Sequence, residues 1–143
     1  MMESRTKRRT FIKGAGMAAL AGLPVAAQSS GAPVRELARH ALAGAQAGFE
    51  AVLVELTVAA GAPAGPSHRH AGFVMGYVLE GDLRFAIDGD RPQIISAGRS
   101  FFEPTGALHS TSGSATPGEP VRFLAFMVVP TGSPLTLPAG TGK

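Results

Sequence analysis

The most constraining feature of this sequence is a series of short apolar segments, each closed by a turn that contains glycine or proline. The clearest segment, residues 49–59, alternates apolar and other side chains at the two-residue period of a strand. Similar segments cover residues 73–79, 83–87, 93–97, 100–103, 107–111 and 121–129. Asp88-Gly89-Asp90 is a strong hairpin signal. Many short strands without a long helix or an internal repeat predict an all-β protein with one barrel or sandwich.

Composition narrows the class further. A chain of 143 residues suits one domain, and its 45% apolar content is enough for a core. The lack of cysteine excludes disulfides, thiolate metal sites and cysteine nucleophiles. Residues 1–13 carry five of the 13 basic residues and one of the 10 acidic residues, so the rest has a net charge of −1. A near-neutral chain without a basic stripe predicts no nucleic-acid partner.

The basic N-terminus resembles an export signal. Arg8-Arg9-Thr10-Phe11-Ile12-Lys13 is similar to the twin-arginine signature Ser/Thr-Arg-Arg-x-Phe-Leu-Lys, with Lys7 and Ile12 as departures. The apolar run after it, residues 14–27, is shorter than the roughly 20 residues that span a bilayer. The resemblance implies a twin-arginine signal over residues 1–27, cleavage near Gln28, and a periplasmic or secreted protein without a membrane span. A disordered basic terminus is the alternative.

The remaining chain divides into three parts. Residues 28–45 are interpreted as an N-terminal linker and first strand, although residues 34–43 fit a short helix as well as a strand. Residues 46–130 form the predicted barrel. Residues 131–143 are rich in proline and glycine and are predicted to be a flexible tail.

Two closely spaced histidines are candidate metal ligands. His68 and His70 follow a Gly/Pro turn and enter a predicted strand. Side chains two apart on a strand point to one face, about 6.6 Å apart along the backbone. Two imidazoles in that arrangement can converge on one metal ion, at distances near about 2.1 Å. A third ligand has to come from another part of the barrel.

His109 is the candidate for that third ligand. It closes the run Gly98-x5-Pro104-x-Gly106-x2-His109. The two glycines allow tight turns, and Pro104 restricts the backbone on the approach. The run would deliver one histidine from a neighbouring strand.

These patterns resemble the motifs of the cupins. The first cupin motif is Gly-x5-His-x-His-x3,4-Glu-x6-Gly, of which His68-x-His70 is present here. The second, Gly-x5-Pro-x-Gly-x2-His-x3-Asn, is intact from Gly98 to His109. The resemblance spans residues 52–129 and implies a small, single-domain, type-2 cupin-like protein with a double-stranded β-helix (jelly-roll) barrel. It also implies a small-molecule ligand or substrate and a homodimer.

Three motif positions depart from the cupin pattern. The first glycine of the first motif is not in place, because Gly61 lies one residue too early and Gly65 does not fit either. The glutamate expected at position 74 or 75 is replaced by Val74 and Met75, and the terminal asparagine is Gly113. A neutral three-histidine face remains, similar to the cysteine dioxygenase-like and gentisate dioxygenase-like cupins. It suits one divalent transition metal, with Fe(II) favoured and Zn, Ni, Cu or Mn possible. A degenerate cupin that has lost its metal is the alternative.

Other polar residues are assigned as follows. Glu103 shares strand parity with Phe101 and could face the cavity as a base or orienting group, but a solvated strand end is preferred. Arg69 is expected to point away from the histidines and to pair on the outer surface. Glu80 is interpreted as a turn residue, and His40, outside both motifs, as a surface residue.

The strand at residues 73–79 is predicted to have two apolar faces. The parity of the absent glutamate places Val74, Gly76 and Val78 inside, beside the metal. The opposite face carries Phe73, Met75, Tyr77 and Leu79. Such a face suggests packing against another sheet or a second subunit, and core filling is the alternative.

Two functions remain open at this point. The metal could act as a Lewis acid or redox centre on a small oxygenated substrate, and the resemblance makes a dioxygenase-like oxidoreductase the leading class. The protein could instead bind a metal or small ligand without catalysis, because no polar catalytic group is obvious beside the histidines.

Overall fold

The computed structural model describes residues 32–140, which form two five-stranded antiparallel sheets. The predicted signal segment 1–27, together with the rest of residues 1–31 and 141–143, lies outside the described residues. The all-β class predicted from alternation is confirmed. Within the described range no helix is long and apolar enough to cross a membrane.

Residues 32–140 form ten strands and one helical turn. The strands are β1 (Val34–Ala41), β2 (Phe49–Val58), β3 (His68–Arg69), β4 (Phe73–Glu80), β5 (Asp82–Ile87), β6 (Gln93–Ser96), β7 (Ser100–Glu103), β8 (His109–Ser114), β9 (Val121–Pro130) and β10 (Leu137–Pro138). A single 3-10 turn, Gly44–Gln46, joins β1 to β2.

The sheets are built from strands distant in sequence. The first sheet has the order β1-β2-β9-β4-β7, and the second has the order β10-β3-β8-β5-β6. β2 pairs with β9 along its whole length, so a long stretch of chain separates hydrogen-bonded neighbours. Successive strands therefore alternate between the sheets in part, as in a double-stranded β-helix, and the inner faces enclose a common interior.

Strands flank the predicted barrel, residues 46–130, on both sides. Residues 28–45 were expected to hold a linker and a first strand, and β1 at residues 34–41 pairs with β2 in the first sheet. Residues 131–140 do not extend away from the barrel as the predicted flexible tail implied. β10 pairs with β3, placing Leu137 opposite Arg69 and Pro138 opposite His68. We call residues 134–139 the C-terminal strap.

The interior contains two apolar clusters of different character. The ring-packed cluster combines aliphatic side chains with three phenylalanines, and its buried members are Ala32, Val58, Val78, Leu83, Phe85, Phe101, Val121 and Phe123. The second, which we call the valine cluster, has no aromatic ring, and its members are Val52, Val54, Val74, Ala125, Met127 and Val129. The two clusters leave the interior unevenly filled.

One glycine in β4 is required by this packing. A Cβ on Gly76 would lie 1.9 Å from Cζ of Phe101, so only a hydrogen fits beneath that ring. Gly98 and Gly106 both have positive φ angles, of 82° and 75°, which agrees with the tight turns expected there.

The outer face of the first sheet is apolar. As predicted, Val74 and Val78 are buried, whereas Met75 and Tyr77 are 54% and 47% exposed. Phe102 and Phe126, the cross-strand partners of Met75, are exposed as well. Nothing in residues 32–140 covers this outer patch, so core filling does not explain it.

Candidate metal centre

Two adjacent strands of the second sheet bring the three histidines together. His68 on β3 is the register partner of His109 on β8, and His70 lies directly after β3. Ligand atoms of the three side chains lie within 4.8 Å of one another. The predicted convergence of two histidines from one segment with a third from a neighbouring strand is therefore confirmed as geometry. Metal binding itself stays a prediction.

Backbone contacts hold the two histidine segments together. The amide of Gly106 donates to the carbonyl oxygen of His70 at 3.1 Å, and Ala107 donates to Pro104 across the turn at 3.0 Å. The turn of the second motif is thus bonded to the histidine segment of the first.

The ring tautomers follow from the bonding partners. Nδ1 of His68 faces the carbonyl of Pro66 at 3.2 Å, and Nδ1 of His70 faces the carbonyl of Leu135. For His109, Nε2 faces the carbonyl of Thr111 at 2.9 Å. A carbonyl oxygen only accepts, so each of these nitrogens donates and the other ring nitrogen keeps a lone pair. Three lone pairs therefore point into one space.

Glu103 completes this group. It lies on β7 in the opposite sheet, and its side chain is only 3% exposed. Its Oε1 is 3.3 Å from Nδ1 of His109, and its Oε2 is 3.6 Å from Nε2 of His70. The preference for a solvated strand end was wrong. Strand parity with Phe101, which is also buried, was the signal that indicated an inward side chain.

Burial shifts the protonation of these groups. Loss of hydration raises the pKa of Glu103 to about 7. Burial is the main cause that lowers the pKa values of His70 and His109 to about 4, and the neighbouring histidines act in the same direction. The carbonyl contact with Leu135 opposes the pKa shift at His70, and the contact with Thr111 opposes it at His109. At neutral pH both imidazoles are therefore neutral, which is the form that binds metal ions.

The histidines open onto a cavity of about 900 Å³. Its wall is mainly apolar and includes Val54, Val74 and Met127 of the valine cluster. The C-terminal strap forms another side of the cavity. The strap was not predicted to be part of the site, although the alternation of Leu135 and Leu137 with Pro134, Thr136 and Pro138 is a weak strand signal.

Arg69 connects the strap to the site. Its Nε donates to the carbonyl of Ala139 at 2.9 Å, and its Nη1 donates to the carbonyl of Gly106 at 2.5 Å. As expected it points away from the histidines, but its partners are backbone carbonyls of the strap and the second-motif turn. Arg69 therefore joins the strap to the second-motif turn through hydrogen bonds.

The other assigned polar residues lie away from the histidines. His40 is exposed on β1, in agreement with a surface role. Glu80 ends β4 and forms an ion pair with Arg122, which also pairs with Glu55. Neither belongs to the candidate metal centre.

The family model for the cupin domain matches residues 54–129, which is more than half of the chain. The chain belongs to the cupin family. The matched range contains the three histidines, Glu103 and most strands of both sheets. Among curated proteins, none matches this chain.

Solved structures agree with the fold of this cupin. A conserved protein with a double-stranded β-helix domain from Klebsiella pneumoniae has 18% identity and a TM-score of 0.57, covering 72% of this chain and 80% of that chain. The polyketide cyclase RemF from Streptomyces resistomycificus has 28% identity and a TM-score of 0.52, covering 65% and 63%. The DMSP lyase DddQ from Ruegeria pomeroyi has 21% identity and a TM-score of 0.50, covering 74% and 53%.

Proposed function

We propose that this cupin is an exported metalloenzyme that holds one divalent transition metal on His68, His70 and His109. The observation that carries the proposal is the convergence of three imidazole lone pairs, each fixed by a carbonyl bond on the other ring nitrogen. Such carbonyl bonds orient the histidines of metal sites and fix their tautomers. The 3.2 Å separation of the two Nε2 atoms of His68 and His70 brings two acceptors together, which a shared cation would satisfy.

The donor set fits the proposed metal. Nδ1 of His109 and Oε2 of Glu103 are buried and have no hydrogen-bond partner among the described residues. Orphaned buried acceptors are costly unless a cation or a donor fills the space between them. Neutral imidazoles suit Fe(II), Zn, Ni or Cu, and Fe(II) is our first choice.

The cavity determines what could reach the centre. Its volume of about 900 Å³ lies within the range of small-molecule sites, and its apolar wall would exclude charged or strongly hydrated molecules. The bound metal would supply a Lewis acid or redox centre. We propose a dioxygenase-like oxidoreductase that acts on a small, largely apolar molecule with oxygen atoms at one end. The similarity to the cyclase RemF supports catalysis in this fold, although not this reaction class.

Metal analysis combined with oxygen uptake tests this proposal. The purified protein is expected to contain close to one equivalent of metal, with iron giving substrate-dependent oxygen consumption on a panel of diketones, phenolic acids and thiols. His109→Ala is expected to lose metal occupancy, and His40→Ala is the matched control because His40 is exposed on β1. A protein that binds no metal after reconstitution would disprove the proposal.

Non-catalytic binding is the second candidate function. The apolar composition of the cavity wall favours it, because few groups other than Glu103 could move a proton there. Full metal occupancy without turnover on any substrate class, combined with tight retention of a small ligand, would support this candidate over an enzyme.

Export through the twin-arginine route is proposed from the sequence Arg8-Arg9-Thr10-Phe11-Ile12-Lys13 and the apolar run of residues 14–27. A route that carries folded proteins would allow the metal to be loaded in the cytoplasm before competing metals are met. Replacement of both arginines by lysine is expected to leave the protein in the cytoplasmic fraction, whereas the unchanged chain is processed and exported.

A homodimer is proposed through the outer patch of the first sheet. Met75, Phe102 and Phe126 form an exposed apolar surface, and monomeric proteins rarely expose large contiguous surfaces of this kind. Sedimentation should show a dimer, and Phe102→Lys should shift it toward the monomer with little loss of metal occupancy.

A further inference from the structure

We propose that Glu103 is the fourth protein ligand of the metal centre, supplied from β7 in place of the glutamate that cupins carry on β4. The inference rests on the proposed metal site and adds a residue that lies outside the metal-ligand positions of the two cupin motifs. It changes the donor set from three neutral imidazoles to three imidazoles and one carboxylate.

The register of the sheet explains how the carboxylate could change strands. Val74, which occupies the position of the missing glutamate, is the direct cross-strand partner of Glu103. Opposed residues of an antiparallel pair lie on the same face, about 4.5–5.5 Å apart between Cβ atoms. A carboxylate on either strand can therefore reach the same space inside the barrel.

The separations between donor atoms fit a single ion. Ligand atoms about 2.1 Å from one metal lie roughly 3.0–3.4 Å apart in octahedral or tetrahedral arrangements. The carboxylate oxygens of Glu103 are 3.3 Å from His109 Nδ1 and 3.6 Å from His70 Nε2. The two Nε2 atoms of His68 and His70 are 3.2 Å apart. These three separations match that spacing to within about 0.2 Å, whereas the three histidine donor atoms as a set lie within 4.8 Å of one another and would have to close further around an ion.

The electrostatics of the centre favour a carboxylate. A divalent ion on three neutral imidazoles would leave two positive charges beside an apolar wall, and one anionic ligand reduces this to a single charge. Glu103 itself has no arginine or lysine among its contacts, and its Oε2 has no hydrogen-bond partner in the part of the chain that the structure describes. A bond between Glu103 and the metal would reduce the positive charge of the centre and would also give the buried carboxylate a partner.

The competing explanation is a structural ion pair, in which Glu103 accepts a hydrogen bond from a protonated histidine and binds no metal. Both neighbouring rings donate to backbone carbonyls through their other nitrogens, so a pair of this kind would require a doubly protonated, charged imidazole. An experiment has to separate the two roles by a property of the metal.

Cobalt substitution provides that property. The metal-free protein would be titrated with Co²⁺, and the visible d–d spectrum would report both the affinity and the ligand set. Glu103→Gln keeps the side-chain size and removes the charge. It is expected to change the spectrum and to weaken Co²⁺ binding by more than the roughly 10–100-fold that is typical when an outer-shell partner of a ligand is lost. Glu36→Gln is the matched control, because Glu36 lines the same cavity but pairs with Arg39.

A carboxylate swap gives the decisive comparison. Glu103→Val alone should bind Co²⁺ as weakly as Glu103→Gln or more weakly. Adding Val74→Glu places a carboxylate at the position that cupins commonly use, and the double variant is expected to recover most of the affinity and a spectrum close to that of the unchanged protein. Circular dichroism of each variant would verify that the barrel has folded.

The outcomes separate this inference from the proposed function. If the unchanged protein binds Co²⁺ and Glu103→Gln binds it within about twofold with the same spectrum, Glu103 is not a ligand and the three-histidine site stands. If the unchanged protein does not bind Co²⁺ at all, the metal site itself is wrong. Recovery in the double variant supports the ligand role, since a structural ion pair would not move the metal spectrum.

Discussion

The two interior clusters of the barrel differ in what fills them. The ring-packed cluster contains three phenylalanines, and the ring centroids of Phe85 and Phe101 are 4.7 Å apart. The valine cluster has no ring, and four of its six members line the cavity of about 900 Å³ that holds the histidines in its wall. Of the eight buried members of the ring-packed cluster, only Phe101 and Phe123 reach that wall, so the cavity lies mainly on the side of the shorter side chains. The barrel therefore combines a stabilising region with a binding region.

The largest loss of stability is expected when one ring is removed from the ring-packed cluster. Phe85 is 6% exposed and does not line the cavity, so Phe85→Ala should leave a hole that the rigid sheets cannot close. The expected loss in the free energy of unfolding is about 3–5 kcal/mol. Denaturant unfolding of the metal-free protein would measure it. A loss below about 1 kcal/mol would mean that this cluster is not the stabilising region.

The second prediction concerns pH and the cavity region. The pKa values of His70 and His109 fall to about 4 on folding, so their contribution to stability is present above pH 6.5 and is lost as the pH falls toward 4. Glu103 opposes this, because its pKa rises to about 7 and its contribution is lost as the pH rises from 4.5 to 7. Between pH 4.5 and 6.5 the unfolded chain therefore binds one more proton in total.

This difference of one bound proton sets how steeply the free energy of unfolding changes with pH. The stability of the metal-free protein should rise by about 1.4 kcal/mol per pH unit between pH 4.5 and 6.5. In Glu103→Gln the opposing contribution disappears, and the slope should roughly double. Urea unfolding at several pH values in the presence of a chelator would measure both slopes. Equal slopes in the two proteins would contradict the burial of Glu103 as a titrating group.

The smallest effect is expected from filling the cavity, and a matched pair of substitutions tests it. Val78 is fully buried in the ring-packed cluster, so Val78→Phe should overpack it and cost about 1–3 kcal/mol. Val54 is also buried, at 2% exposure, but it lines the cavity, so the added ring can extend into open space and Val54→Phe should cost less than Val78→Phe by about 1 kcal/mol or more. Equal losses at the two positions would show that the two regions are packed alike.

Much of the fold was predictable because it depends on local patterns. β2, β4, β5, β6, β7 and β9 begin or end within about one residue of the predicted segments, since alternation and turn residues mark them directly. The N-terminal strand was ambiguous because residues 34–43 fit two periods. The C-terminal strap was missed because its strand is only two residues long and depends on pairing with β3.

The candidate site was predicted in part for a similar reason. Spacing within each motif placed His68, His70 and His109 on strands that could meet, and the structure brings them together. The role of Glu103 depends on the opposite sheet, because its position beside the histidines requires β7 to pair with β4 across the barrel from β3 and β8. No spacing within one segment contains that information.

The sequence by itself determined the strand pattern, the turns and the three histidines, since each depends on residues close together in the chain. Only the tertiary structure decided the direction of Glu103, the position of the strap and the unequal filling of the interior. These depend on contacts between segments far apart in sequence, such as the Val74–Glu103 pair and the bond from His70 to Leu135. The first motif alone shows only that the cupin glutamate is missing. The pairing of β4 with β7 shows that Glu103 can supply a carboxylate to the same space from the neighbouring strand.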